Sequence, residues 1–220
     1  MSQLPPHQKA VIFDLGNVLV HVNNSKALPH FQKYLKKAVS YEQLEFVVYG
    51  GMFKGGLAEI GQVHVDFHLG KLTPQSFYQQ IMATGIFANT LTYELFNEYW
   101  SKPRFTKNKL VFQLLKQLHA HRRYLLSDTN PTDYAWLRFR FPKLFVEFDQ
   151  EFISFKTKTL KFDASCWHGI FAHSGLAPHD HVFIDDRSDH VQRAKTIGMQ
   201  GIVFENAKQV KNELVKLGFL

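Results

Sequence analysis

The sequence predicts an α/β protein: a doubly wound parallel sheet with an all-helical domain inserted after its first strand. Three observations carry this. From Asn108 onward, short apolar runs alternate with amphipathic ones, the pattern of strands that lie parallel with helices on both faces. The run "VIFD", Val11 to Asp14, is one more apolar strand standing far ahead of them. Between them, from about residue 23 to residue 103, helical patterns occur without a convincing strand.

Taken in order after Asn108, "LVFQLLKQLHAH" reads as an amphipathic helix, "RYLLS" as a strand and "PTDYAWLRFRF" as a helix opened by proline. "EFISF" is a strand, and "DASCWHGIFAHSG" is a helix capped by Asp163 and stopped by Gly175. "HVFID" is a strand, "SDHVQRAKTIG" a helix stopped by Gly198, and "GIVF" a last strand. In the insertion, "HFQKYLKKAV", "PQSFYQQIMATG" and "LTYELFNEYW" look helical and "YGGMFKGG" is a glycine-rich joint. The expected division is a core of residues 1–22 and 104–220 with a helical domain of residues 23–103.

A chain of 220 residues accommodates such a core with a smaller inserted domain. No apolar stretch approaches the ~20 residues needed to cross a bilayer, and "MSQLPPHQKA" lacks the apolar centre of an export signal. A cytoplasmic protein without a membrane partner is expected. Lys plus Arg number 26 against 19 Asp plus Glu, a formal +7 with twelve histidines counted neutral, which helps recruit anionic ligands. The basic residues are scattered, the densest run being "FKTKTLK", so no nucleic-acid partner is expected. The single Cys166 excludes an internal disulfide and any site built on several thiolates. The oligomeric state leaves no mark on the sequence.

In a doubly wound sheet, ligands bind beyond the carboxyl ends of the strands, where strand order reverses. Three strands here end on polar residues: "VIFD" on Asp14, "RYLLS" on Ser127, and "HVFID" on Asp185, followed by Asp186. Lys161 joins them from a loop before a helix. Each has an ordinary structural reading, as turn former, helix cap or solvated lysine. Together they are what one site would need, and adjacent carboxylates call for a cation or a proton; a hard divalent ion with oxygen ligands meets that need.

In chain order, "FDLGNV", "LLSDTN", Lys161 and "IDDRSD" resemble the four motifs of the haloacid dehalogenase (HAD) superfamily, and the helical insertion resembles its cap domain on a Rossmann-like core. "FDLGNVLV", "GKLTPQSF" and the step from Lys161 to Asp185 are most similar to small bacterial sugar-phosphate (glucose-1-phosphate) phosphatases. The phosphatase domain of soluble epoxide hydrolases is a more distant likeness. The resemblance spans Ala10 to about Phe204.

The resemblance implies a phosphatase acting on a small phosphorylated substrate. Asp14 would be the nucleophile, forming an aspartyl phosphate. Mg²⁺ would be held by Asp14, the carbonyl of Gly16, Asp186 and, through water, Asp185. Lys161 would balance phosphoryl charge, and Ser127 with the Asp128 and Thr129 region would bind its oxygens. Three positions depart from the pattern. Gly16 stands where most such phosphatases have a second aspartate that serves as general acid and base, Phe162 follows the lysine in place of proline, and Asp128 replaces asparagine. His21 is the nearest titratable side chain able to stand in for the missing acid; His64, His68 and His190 have less claim. Two other functions fit the same residues: a phosphate binder that has lost turnover, and a metal-free dehalogenase.

Overall fold

The computed structural model describes residues 9–50 and 58–220. In chain order its strands and α-helices are β1 (Ala10–Phe13), β2 (Val20–Val22), α1 (Leu28–Gln32), α2 (Tyr41–Tyr49), α3 (Ala58–His68), α4 (Pro74–Ala83), α5 (Tyr93–Ser101) and β3 (Phe105–Lys107). There follow α6 (Lys109–Gln117), β4 (Arg122–Ser127), α7 (Pro131–Arg140), α8 (Pro142–Phe145), β5 (Gln150–Ile153), α9 (Ser154–Thr157) and α10 (Ala164–Ser174). The chain closes with β6 (His181–Asp185), α11 (Ser188–Thr196), β7 (Gln200–Val203) and α12 (Ala207–Lys216). Two compact units result. One holds the chain up to His21, Lys107–Asp128 and Phe141–Leu220; the other holds Val22–Thr106 and Thr129–Arg140.

The first unit is a five-stranded parallel sheet in the order β5-β4-β1-β6-β7, so β1 lies at the centre, where the winding reverses. Its four residues are wholly buried, as a strand with both faces covered requires. Ala10, Ile12, Tyr124, Leu126, Phe152 and Phe183 share one core with Trp167 and Ile170 of α10 and Ala194 of α11. The alternate residues Val11, Phe13, Leu125, Val182 and Ile184 point to the opposite face and are buried too. Removing one such side chain from water is worth roughly 1.5–3 kcal/mol, so the sheet is held mainly by these layers. The Cys166 thiol lies in the first layer and is pushed up to about 12, chiefly by burial.

Gly175 and Gly198 end α10 and α11 in the left-handed region, at φ 65° and 89°, as expected. Asp163 differs from expectation. It occupies the N-cap position of α10, but its side chain accepts no capping bond and instead takes the Leu160 N–H at 2.7 Å. The carboxylate closes a turn rather than opening a helix.

The second unit is helical, around Phe31, Phe67, Phe77, Phe87, Phe96 and Trp100. α4 and α5 begin where Thr73 and Thr92 accept the N–H of Ser76 and Leu95. The helix expected over residues 30–39 stops at Gln32. Beyond it the backbone pairs across the unit: Lys36 N–H donates to Ile86 O at 2.8 Å and Ala88 N–H to Tyr34 O at 2.7 Å. These bonds replace the helical ones. α2 and α3 appear where no helix was expected, the former opened by Ser40. Gly50 ends α2 at φ 72°; the rest of the glycine-rich joint, residues 51–56, lies outside the described residues. β2 and β3, also unexpected, pair where the chain passes from one unit to the other and back. α7 belongs to this unit through Asp133, whose buried carboxylate accepts from Ser101 Oγ at 2.7 Å, Arg104 Nη2 at 2.9 Å and Asn130 Nδ2 at 2.8 Å.

Candidate active site

Register brings the acids together. Phe13 pairs with Ile184, so Asp14, one residue on, comes level with Asp185, and its N–H donates to Ile184 O at 2.9 Å. Phe13 also pairs with Leu125 of β4, which ends two residues later on Ser127. Asp14, Ser127, Lys161 and Asp185 are all buried polar residues. After Asp14 the chain turns through Gly16 and Asn17. The buried Asn108 anchors this turn from the start of α6, donating its amide to Val18 O at 3.0 Å and its N–H to Leu19 O at 2.9 Å. Asn17 carries the left-handed conformation, at φ 55°; Gly16 does not.

Lys161 is fixed along its whole length. The turn from Leu160 to Asp163 encloses it, and its N–H reaches both carboxylate oxygens of Asp128 at 3.2 Å. Its carbonyl accepts the indole N–H of Trp167 at 2.8 Å. The ammonium then donates to Asp14 Oδ1 at 2.5 Å and to Asp185 Oδ2 at 2.6 Å.

These groups set one another's charge. Burial pulls the Lys161 ammonium down, but the charges of Asp14, Asp185 and Asp128 outweigh it and hold the group above its ordinary value. Burial likewise works against Asp185, yet hydrogen bonding from His190, the Lys161 charge and the Arg187 N–H hold its carboxyl down to about 2. Asp14 moves the other way: burial, reinforced by Asp185, raises it to about 7 against the pull of Lys161. Without a further cation, Asp14 is therefore the acid most easily neutralised.

Asp14, Asp185 and Asp186 present carboxylate oxygens within 4.8 Å of one another. A donor set made of oxygen alone fits a hard divalent cation such as Mg²⁺. Asp185 is already engaged by Lys161, by the Arg187 N–H at 2.9 Å and by His190. The need for a cation thus rests on Asp14 and Asp186, not on the adjacency of Asp185 and Asp186 that the sequence suggested. Asp186 is only partly buried, and its Oδ2 accepts from the Asn17 amide at 3.0 Å.

The remaining expected residues divide. Ser127 is buried at the end of β4, whereas the Asp128 carboxylate is turned to the Lys161 backbone. Thr129 is buried and falls in the helical unit. His21 is exposed in β2, and no hydrogen bond, ion pair or ring contact links it to the acids or to Lys161 among the described residues. His64 is buried in the helical unit; burial pushes its ring down to about 4, and its Nε2–H donates to Val47 O at 3.1 Å. His68 Nδ1 meets His64 O at 2.8 Å. His190, given little weight from sequence, is the histidine that reaches the site: its Nδ1 lies 3.3 and 3.2 Å from the two oxygens of Asp185. The signal available was its place five residues beyond a strand-end acid, in the first turn of the following helix.

Among the described residues no helix is long and apolar enough to cross a membrane. No family model matches the chain. It is 24% identical over 217 residues to a D-ribitol-5-phosphate phosphatase of Bacteroides thetaiotaomicron, covering 94% of this chain and 96% of that protein. A HAD family enzyme from Bacteroides thetaiotaomicron, solved with magnesium and inorganic phosphate, superposes with a TM-score of 0.73 at 20% identity over 90% of this chain and 95% of that one. A HAD-like family hydrolase from Porphyromonas gingivalis gives a TM-score of 0.73 at 22% identity, over 96% and 98% of the two chains. The parallel sheet with its helical insertion, matched over nearly the full length of both chains, shows that this chain shares the fold of these haloacid dehalogenase enzymes.

Proposed function

We propose that the protein is a Mg²⁺-dependent phosphatase that hydrolyses a small phosphorylated metabolite, with sugar and polyol phosphates the first class to test. The observation that carries the reading is Lys161, held between Asp14 and Asp185 with Asp186 alongside. The phosphatase relative acts on a polyol phosphate, which supports the substrate class.

In the first step a carboxylate oxygen of Asp14 forms a bond to phosphorus as the bond from phosphorus to the substrate oxygen breaks. The released alkoxide takes up a proton. In the second, water adds to the phosphorus, the bond to Asp14 breaks, and inorganic phosphate leaves with the free carboxylate restored. Lys161 balances the charge that grows on the phosphoryl oxygens, and the Ser127 hydroxyl with nearby backbone amides donates to them. Asp14, the Gly16 carbonyl and Asp186 would hold Mg²⁺, which supplies charge neutralisation at the phosphoryl group when bound. Gly16 carries no acid, and general acid–base catalysis is typically worth about 10²–10⁴-fold, so a leaving group of low pKa is favoured. His21, exposed in β2 and without a contact to the acids among the described residues, is assigned the proton duty only as a proposal from its place seven residues beyond Asp14.

A panel of phosphometabolites assayed with Mg²⁺ and with chelator tests the reading. Release of phosphate that needs Mg²⁺ is expected. Activity undiminished in chelator on haloacids would mark a dehalogenase. Gly16 also favours a second reading, a phosphate binder without turnover, for which vanadate would bind while no member of the panel is hydrolysed.

A further inference from the structure

We infer that His190 is a positioning residue for Lys161, acting through Asp185. The role rests on the phosphatase reading of the site. Asp185 Oδ2 accepts the Lys161 ammonium at 2.6 Å, and the same oxygen lies 3.2 Å from His190 Nδ1, with Oδ1 at 3.3 Å. The imidazole therefore bridges the carboxylate edge and resists its rotation, and with it any drift of the ammonium that stands against Asp14. The ring also meets that of Phe162, the residue directly after Lys161, edge-on at 5.0 Å and 69°. His190 thus touches both the acid that aims Lys161 and the segment that carries it. The departure from proline at residue 162 acquires a physical use: a proline ring would offer no aromatic face there.

The tautomer follows from burial. His190 is 5% exposed, and among the described residues its Nε2 is buried with no hydrogen-bond partner. A proton on Nε2 would be stranded without an acceptor, whereas a proton on Nδ1 is taken by Asp185, so the neutral ring carries its hydrogen on Nδ1. Histidine is not the only side chain able to do this. An asparagine amide places an N–H near the same point, and a leucine fills the space without one.

The test compares wild type, His190→Leu, His190→Asn, Asp185→Asn and the double variant His190→Leu with Asp185→Asn, using p-nitrophenyl phosphate and Mg²⁺. Partners that orient a site group typically cost about 10–100-fold when removed. His190→Leu is expected to lower kcat by about that factor with KM changed less than about threefold. His190→Asn should recover most of the loss, and on the Asp185→Asn background His190→Leu should cost little more. Equal losses in the Leu and Asn variants, or losses that multiply in the double variant, overturn the proposal. A second readout needs no turnover: in ¹⁵N-histidine spectra, the resonance pair that vanishes in His190→Asn should show a protonated Nδ1. A bare Nδ1 overturns it as well. Wild-type protein that hydrolyses nothing would sink the phosphatase reading, while the nitrogen shifts still decide whether His190 holds Asp185.

Discussion

The Lys161 ammonium stands 2.5 Å from the Asp14 carboxylate, and the side chains of both residues are nine-tenths or more buried. A buried ion pair of this kind is weak evidence for stability but strong evidence of consequence when one partner is removed.

Removing the cation and removing the acid should therefore differ in sign. Lys161→Ala leaves Asp185 charged and buried without its cation, and a loss on the order of 3–5 kcal/mol is expected in urea unfolding, beside a fall in kcat at least as large as the rise in KM. Asp14→Asn should keep the fold and abolish turnover. Residual hydrolysis above about one per cent of wild type, a factor that general binding effects alone do not explain, would count against covalent catalysis by Asp14.

The pH dependence of stability carries the same asymmetry. The folded Asp14 carboxyl is raised to about 7 from 3.8. Its contribution is fully present below the ordinary value, where both states are protonated, and is lost as pH rises toward 7, because the native state then binds the proton that the unfolded chain has released. In metal-free protein, the stability of Asp14→Asn relative to wild type should therefore grow from pH 4 to pH 7. Saturating Mg²⁺ should shrink the difference. A flat difference across that window would show that burial does not govern Asp14.

His64 acts in the opposite direction. Burial lowers its ring from 6.5 to about 4, so folded and unfolded states agree above 6.5, and below it the unfolded chain takes a proton that the folded one refuses. Stability from this group is full above pH 6.5 and falls on acidification toward 4. Between pH 6.5 and 5 the loss should be about 2 kcal/mol. His64→Phe should remove that slope in urea titrations at the two pH values; an unchanged slope would assign it to another group.

Gly16 predicts which chemical step is slow. With a good leaving group, phosphorylation of Asp14 needs little proton help, whereas hydrolysis of the aspartyl phosphate still lacks a base to activate water. Rapid mixing with p-nitrophenyl phosphate should give a burst near one equivalent per site and a slower steady rate. Because Gly16 is outside the left-handed region, the backbone admits a side chain there, and Gly16→Asp should raise the steady rate. His21→Ala should widen the gap if that histidine activates water. Linear release from the first turnover, unchanged by either substitution, would show that dephosphorylation is not limiting.

In the helical unit, Asp133→Ala should cost on the order of 3–5 kcal/mol, because it strands the buried Arg104 guanidinium, which lies over the Tyr49 ring at 4.1 Å. A melting temperature within about 2 °C of wild type would show that Tyr49 and solvent suffice for that cation.

By itself the sequence determined the parallel strands, their polar last residues and the glycine stops of α10 and α11. Each depends on neighbours a few positions away: an apolar run closed by a carboxylate, or a residue free to adopt positive φ. Local pattern also made Asp163 look like a cap, since the residue type suits one, and it could not show that the side chain turns back to Leu160. Nor could it show that residues 33–39 exchange helical bonds for pairing with Ile86 and Ala88. Only the tertiary structure decided that Lys161 neutralises Asp185 as well as Asp14, a contact between residues 147 positions apart in the second case, and that His190 reaches Asp185. The reason is physical: strand register, not sequence spacing, sets which strand ends stand level, and burial together then forces those groups to share charge and hydrogen bonds that no short window of sequence contains.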